Sequence, residues 1–312
     1  MKVLTLPWML MVASVVCADS FDYQLQPRRL APDVQAFIGK TEDFDTVNGG
    51  NIVNTAFIEA ADGLIVIDSG PSLRYGRQVR AAMGAVSTRS VALVINTHLH
   101  PDHMLGNLAY AGIAIGALPA TSQAIASEGN AFAENLYRMS GDWMKGTEIR
   151  VPDRALSGGS LSVAGRRLQL IELAGHSGAD LAVYDEKSGI LFTGDLVFNG
   201  RAPTTPHADI PRWLAALDQL EALTRQPGFV ALLPGHGEPA HDAAPIRQTR
   251  AWLQWLQQRM QEAARDGLDM NEVMARPLPP EFAAMPMAAS EYRRSVAHLF
   301  PAAEAEVLAH GH

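Results

Sequence analysis

The chain has 312 residues, of which 47% are apolar and 19% charged, and its formal net charge is -8. This is the composition of an ordinary globular protein, and the length is ample for a sizeable hydrophobic core. The acidic balance argues against a nucleic acid as the main partner, because a polyanion is bound by clustered basic side chains.

The first eighteen residues have the layout of a secretory signal peptide. Lys2 precedes the uncharged residues 3–16, and Val16-Cys17-Ala18 stands before the expected cut. The apolar run is shorter than the roughly 18 residues of a membrane-spanning helix, so we predict no stable membrane insertion. A membrane anchor, a buried first helix or lipidation of Cys17 are the alternatives. Cys17 is the only cysteine, so any metal in a processed, periplasmic protein must be held by histidine and carboxylate.

The rest of the chain alternates strand-like and helix-like segments after an irregular lead-in at residues 19–32. The predicted strands are residues 34–38, 52–59, 64–67, 91–95, 113–115, 159–173 (a pair), 181–184, 190–193 and 229–233. The predicted helices are residues 72–83, 103–110, 121–145, one capped by Asp209, 242–266 and the tail 268–312. Two similar halves predict two sheets sandwiched between helices. We expect a signal peptide at 1–18, a catalytic domain at 19–266 and a C-terminal helical extension at 267–312.

A dense group of chelating side chains follows the apolar strand at 91–95. Three histidines and an aspartate fall within residues 98–103, where burying them without a partner would be costly. Single histidine or aspartate residues then follow three later strands, each beside a glycine. The full set of candidate ligands is His98, His100, Asp102, His103, His176, Asp195 and His236. Seven ligands exceed the needs of one tetrahedral ion, which favours two ions sharing Asp195, with zinc, iron and manganese all compatible.

These motifs are similar to those of the metallo-β-lactamase superfamily, in which His-x-His-x-Asp-His is followed by separate His, Asp and His. The resemblance spans about residues 33–245 and implies an αββα sandwich of two mixed sheets flanked by helices. It implies that His98, His100 and His176 hold the first of two zinc ions, that Asp102, His103 and His236 hold the second, and that Asp195 bridges them. Many zinc β-lactamases have cysteine at the bridging position, so this ligand set is closer to glyoxalase II and lactonases.

Four further phrases narrow the resemblance. They are residues 40–44 (KTEDF), 48–51 (NGGN), 141–148 (GDWMKGTE) and 202–209 (APTTPHAD). They resemble the exported quinoprotein relay system zinc metallohydrolases, which are related to SoxH-like proteins. That resemblance implies a functional link to a periplasmic dehydrogenase that depends on pyrroloquinoline quinone (PQQ). It names a context and leaves the small-molecule substrate open.

The resemblance implies a hydrolase in which hydroxide generated between two metals attacks an ester, thioester, lactone or amide carbonyl. Asp102 and Asp195 are the expected catalytic carboxylates, Asp102 by orienting that hydroxide. Three alternatives stay open: β-lactamase activity, an iron-dependent persulfide dioxygenase, and a non-catalytic partner of a quinoprotein.

Several other residues carry two readings each. Asp68 either steadies a ligand histidine or caps the helix that begins near Ser72. Arg201 and His207 either line the pocket or are solvated, and Asp209 is more simply a helix cap. Trp143 and Lys145 either form a lid or are a core aromatic with a solvated neighbour. Residues 41–50 are a candidate flap, Trp252, Trp255 and Met260 are predicted to pack on a sheet, and His241, His298, His310 and His312 are expected at the surface.

Overall fold

The computed structural model describes residues 21–310. The predicted signal peptide at residues 1–18 and the terminal His312 lie outside the described residues. No helix in residues 21–310 combines the length and the apolar character needed to cross a membrane.

Twelve strands within the described residues form two sheets. The first sheet has seven strands in the order β1 to β7, and the second has five in the order β12-β11-β10-β9-β8. The strands are β1 (Arg28–Ala31), β2 (Val34–Phe37), β3 (Thr55–Ala60), β4 (Gly63–Ile67), β5 (Val91–Ile95), β6 (Ile115–Ala117), β7 (Arg154–Ala155), β8 (Gly159–Val163), β9 (Arg166–Leu173), β10 (Asp180–Asp185), β11 (Ile190–Phe198) and β12 (Ala231–His236). Both sheets are mixed. In the first, β4 pairs with β3 antiparallel and with β5 parallel, and in the second, β11 pairs with β10 antiparallel and with β12 parallel.

Helices cover both outer faces of this pair of sheets. They are α1 (Leu73–Val86), α2 (Pro101–Met104), α3 (Pro119–Ser140), α4 (Ile210–Leu223), α5 (Ala244–Arg265), α6 (Met270–Ala275), α7 (Pro280–Ala283) and α8 (Ala288–His310). Two 3₁₀ helices, Leu105–Tyr110 and Gly141–Met144, follow α2 and α3. The predicted sandwich of two mixed sheets between helices, with helices at the C-terminal end, is confirmed.

Apolar packing fixes the order of the layers. Ile65 of β4 and Phe192 of β11 belong to one buried cluster, so the inner faces of the two sheets pack on each other. The outer face of the first sheet packs on α1, and the outer face of the second packs on α4, α5 and α8. Because both faces are covered, β4 and β11 are buried along their whole lengths. This explains the apolar sequence of β4 and the apolar residues on both sides of Thr193-Gly194-Asp195 in β11.

Local differences from the sequence prediction lie at the edges of elements. Residues 28–31 form strand β1, although an irregular lead-in was predicted there. The two arginines at the start of this segment give it no apolar strand pattern, and pairing with β2 stabilises the strand instead. The strand predicted from residue 52 begins at Thr55. Ile52 and Asn54 turn toward β12 instead, and the Asn54 side chain donates to the carbonyls of Pro234 and Gly237. Trp252 and Met260 are buried against the second sheet, as predicted.

The C-terminal helices share the core of the preceding domain. Tyr292, Val296 and Phe300 of α8 lie in the same buried cluster as Trp252 of α5 and Leu232 of β12. The predicted boundary at residue 266 is therefore crossed by continuous apolar packing, and the division into separate units stays a prediction.

Candidate metal centre

The seven candidate ligands converge at one edge of the two sheets. His98 and His100 lie in the turn after β5, and Asp102 and His103 lie in the short helix α2 that Pro101 begins. His176 follows β9, Asp195 lies where the pairing of β11 with β12 shifts register, and His236 ends β12. All seven side chains are buried.

Three imidazole nitrogens and one carboxylate oxygen form the first cluster. Nε2 of His98 lies 3.0 Å from Nδ1 of His100, which lies 2.7 Å from Nε2 of His176. Oδ2 of Asp195 is 3.3 Å from Nε2 of His176 and 3.9 Å from Nε2 of His98. A tetrahedron with bonds of about 2.0–2.1 Å has edges of about 3.3 Å, so these separations suit a single zinc-sized ion.

Asp102, His103 and His236 form the second cluster, which touches the first through Asp195. Oδ2 of Asp102 is 3.3 Å from Nε2 of His236 and 3.8 Å from Nε2 of His103. Oδ1 of Asp195 lies 3.0 Å from His103 Nε2, and its Oδ2 lies 3.2 Å from His236 Nε2. One carboxylate therefore contacts both clusters, the position that a bridging ligand requires.

Hydrogen bonds on the far side of the rings direct specific nitrogens into the clusters. Nδ1 of His236 donates to the carbonyl of Ile52 at 2.7 Å, and Nδ1 of His103 donates to Oδ2 of Asp68 at 2.7 Å. His98 Nδ1 donates to Thr97 Oγ1 at 3.0 Å, and that hydroxyl donates to Asp68 Oδ2 at 2.8 Å. With its proton held on Nδ1, each ring presents a bare Nε2, which is the state that binds a metal.

Asp68 is bonded to two candidate ligand histidines, directly or through Thr97, and does not cap α1. Its backbone has φ 57°, and α1 is capped by Ser72, whose side chain accepts from the amide of Tyr75. Asp68 Oδ1 also accepts from the amide of Thr97 at 2.8 Å. Asp68 is therefore bonded to histidines of both clusters, directly or through Thr97, and of its two readings the steadying one is found.

Burial and neighbouring charge separate the two clusters electrostatically. Burial lowers the pKa of His98, His100 and His176, to about 4 for His176, so these rings are neutral at pH 7. Burial also acts to lower the pKa of His103 and His236, but adjacent carboxylates, first of all Asp195, outweigh it and raise both. Protons therefore compete with a cation more strongly at the second cluster than at the first.

Buried polar atoms of the site that lack a hydrogen-bond partner among the described residues fit a bound cation. Nε2 of His103 and Oδ1 of Asp195 are buried and face each other at 3.0 Å without forming a well-aligned hydrogen bond. In the first cluster, ring nitrogens of three histidines lie 2.7–3.0 Å apart, so their lone pairs can converge on one cation. Imidazole and carboxylate ligands suit zinc, iron or manganese.

Glycine is required where β12 passes the bridging carboxylate. A Cβ atom at Gly235 would lie 1.9 Å from Oδ1 of Asp195. The absence of a side chain there allows the backbone to approach the cluster closely.

A cavity of about 330 Å³ opens over the clusters. Its floor includes His100, Asp102, Asp195 and His236. The remaining lining residues are Phe44, Ile52, Pro101, Phe132, Asn135, Met139, Arg201, Thr204, Pro206, His207 and Arg294. Residues of the 41–50 loop, α3 and α8 thus form the walls, and Phe132, Met139 and Arg294 escaped the sequence analysis because no motif marks them.

Some of the other residues considered from sequence line the cavity and some do not. Arg201 and His207 line the cavity, and His207 Nδ1 lies 2.8 Å from Nε2 of His100. Asp209 caps α4, as predicted. Trp143 is buried and donates to the carbonyl of Thr46, while Lys145 is exposed, and neither lines this cavity.

The chain belongs to the metallo-β-lactamase superfamily, whose family model matches residues 48–236. The solved structures similar to it include a metallo-β-lactamase from Pontibacter korlensis, with TM-score 0.60 and 20% identity over 74% of this chain and 99% of that one. A second, from Hirschia baltica, has TM-score 0.58 and 20% identity over 73% and 97%. The family model confirms the predicted superfamily, and the structural likenesses confirm the predicted fold.

Two curated relatives are similar in sequence. A linear primary-alkylsulfatase from a Pseudomonas species is 23% identical over 77% of this chain and 53% of its own length, so the chain spans about half of that protein. An acyl-coenzyme A thioesterase from Bos taurus is 25% identical over 60% of this chain and 74% of its own length. These relatives agree with the predicted class of metal-dependent hydrolase.

Proposed function

We propose that the chain is a dinuclear metal-dependent hydrolase of esters or thioesters, with zinc as the expected metal and iron or manganese as alternatives. The observation that carries this proposal is the convergence of seven buried ligands, with Asp195 in contact with both clusters. His98, His100 and His176 would hold one ion, and Asp102, His103 and His236 the other, with Asp195 shared. Such ions supply Lewis acidity and an activated water nucleophile near neutral pH.

The chain's own groups account for orientation and proton handling. Asp102 lines the cavity, and although burial acts to raise its pKa, the charges of His103 and His236 lower it overall. Its carboxylate is therefore ionised at neutral pH and can accept a hydrogen bond or a proton from water at the cavity floor. The apolar side chains Phe44, Phe132 and Met139 line the cavity and limit the access of bulk water to it.

One relative supports an acyl substrate, and the other supports a second candidate substrate class. The thioesterase relative supports thioesters within the wider class of esters, lactones and amides. The alkylsulfatase relative, which matches over 77% of this chain, supports sulfate esters as the second candidate. β-Lactam hydrolysis and persulfide oxidation remain alternatives that the same assays separate.

The test is metal analysis together with a substrate screen on the purified protein. The screen contains an acyl-coenzyme A, S-lactoylglutathione, a lactone, an alkyl sulfate and nitrocefin, with oxygen uptake followed in the presence of a persulfide. We expect two metal ions per chain and hydrolysis of an acyl substrate, both lost in His98→Ala and Asp195→Ala. The exposed His241, which lies outside the cavity, provides the matched control His241→Ala. One iron per chain with thiol-dependent oxygen consumption would contradict the proposal.

We also propose export to the periplasm and a functional link to a PQQ-dependent dehydrogenase. The support is the signal-like segment at residues 1–18 and the four phrases that resemble quinoprotein relay metallohydrolases. Cell fractionation tests the first proposal, with cytoplasmic retention as the contrary result. Dehydrogenase activity in a deletion strain tests the second. If Asp195→Ala restored that activity as well as the wild type, a non-catalytic partner role would replace the hydrolase.

A further inference from the structure

Two arginines in the cavity wall share one buried carboxylate from α8. Nη2 of Arg201 donates to Oε1 of Glu291 at 3.3 Å, and Nη1 of Arg294 donates to the same oxygen at 2.9 Å. Glu291 is fully buried, and both arginines line the cavity over the clusters. The two guanidinium groups are therefore neighbours beside the candidate metal centre, and α8 lies outside the segment matched by the family model.

The described residues supply an acceptor for Nη2 of Arg201 but leave other donors of its guanidinium group without one. Its side chain is 3% exposed, and Nε has no hydrogen-bond partner among residues 21–310. Nη1 lies 3.2 Å from Nδ1 of His236, but that nitrogen already donates its proton to the carbonyl of Ile52. Two donor groups consequently face each other, and leaving a buried donor unmet is costly. An acceptor supplied by a ligand would remove this cost.

One buried and one partly exposed carboxylate balance the two guanidinium charges in this wall. Glu291 is the single buried carboxylate that the two arginines share, while Arg294 makes its other ion pair with Asp43, a partly exposed residue of the 41–50 loop. Partly exposed ion pairs contribute little, so an anion could replace Asp43 at small cost. A planar guanidinium presents several donors and suits carboxylate, sulfate or phosphate oxygens.

Apolar side chains also line the cavity. Phe132 and Met139 of α3 and Phe44 of the 41–50 loop line the cavity, and the Phe132 ring lies edge-on to His100 with 6.3 Å between ring centroids. An alkyl or acyl chain can bury its surface against these side chains, within the same cavity that the two arginines and the metal clusters line.

We infer that the enzyme selects substrates that combine an apolar chain with an anionic group, and that Arg294 of α8, coupled to Arg201 through Glu291, determines this specificity. The inference rests on the proposed hydrolase function and names its substrate class. Arg201 contacts a ligand histidine, so Arg294 is the residue at which specificity can be changed while the metal ligands stay intact.

Binding of a non-hydrolysable probe tests the inference independently of turnover. Isothermal titration calorimetry on metal-loaded protein compares 1-hexanesulfonate with neutral 1-hexanol. We expect the wild type to prefer the sulfonate, and Arg294→Met to lose about tenfold in sulfonate affinity with no change for hexanol. Arg294→Lys, which keeps the charge, should regain part of the loss.

Two matched variants distinguish direct recognition from general effects. Arg293→Met changes an exposed arginine of the same helix that does not line the cavity, and should bind both probes like the wild type. Asp43→Asn removes the tether between Arg294 and the loop but keeps the cation, and should retain or increase sulfonate affinity. The inference is overturned if the wild type does not prefer the sulfonate, or if Arg294→Met binds it normally. It is equally overturned if Arg293→Met or Asp43→Asn loses as much as Arg294→Met. Metal content and melting temperature are measured for every variant, and failure of hydrolysis alone would leave these results standing.

Discussion

Replacing Asp68 by asparagine should weaken metal binding without dismantling the fold. The carboxylate accepts three hydrogen bonds, from Nδ1 of His103 at 2.7 Å, Oγ1 of Thr97 at 2.8 Å and the amide of Thr97 at 2.8 Å. An asparagine has one acceptor oxygen, so at least one of these donors would face its NH₂ group. Asparagine tolerates the positive φ of 57° at this position, so the backbone is not the cause of the expected loss.

The expected loss in affinity follows from the role of Asp68 in orienting ligands. Partners of this kind typically contribute about 10- to 100-fold in metal affinity, or about 1.4–2.7 kcal/mol. The assay is zinc competition against a chromophoric chelator, using protein first stripped of metal. The control is Asp185→Asn, which alters a fully buried carboxylate paired with Arg166 instead of a ligand histidine. Wild-type affinity in Asp68→Asn, or an equal loss in Asp185→Asn, would refute the reasoning.

Two further predictions concern stability and pH. Arg166→Met should lower the free energy of unfolding by about 3–5 kcal/mol, because it leaves the buried carboxylate of Asp185 without its cation. Urea denaturation measures this, and the exposed Arg167→Met should change it little. Acidification should release metal from the second cluster first, since His103 and His236 have raised pKa values and regain protons at a higher pH than His176, whose pKa is about 4. Metal content after dialysis at stepwise lower pH tests this order, and simultaneous release of both ions would contradict it.

The candidate ligands could be predicted from sequence because most of them lie at or shortly after the end of an apolar strand. Apolar strands that end at one edge of a sheet bring the residues after them together, so His98, His176 and His236 meet although they are far apart in the chain. Asp195 meets them from within β11, where the register shifts. Glycines beside His176, Asp195 and His236 make these candidate ligands recognisable in the sequence. The family resemblance then assigns the candidate ligands to two ions.

The cavity walls could not be predicted in the same way. Glu291 and Arg201 are 90 residues apart and no motif joins them, because their contact depends on how α8 packs against the second sheet. Phe132 and Met139 lie on one face of α3, a spacing that a core helix would also show. Trp143 does not line the cavity, in contrast to the interpretation that it forms part of a lid. Its buried indole donates a hydrogen bond to the carbonyl of Thr46 in the 41–50 loop.

Anomalous X-ray diffraction from crystals of the zinc-loaded protein tests the central claim most directly. We predict two zinc peaks about 3.5–4 Å apart. One should lie among His98, His100 and His176, and the other among Asp102, His103 and His236, with Asp195 between them. A single peak, or zinc bound away from these residues, would contradict the dinuclear centre.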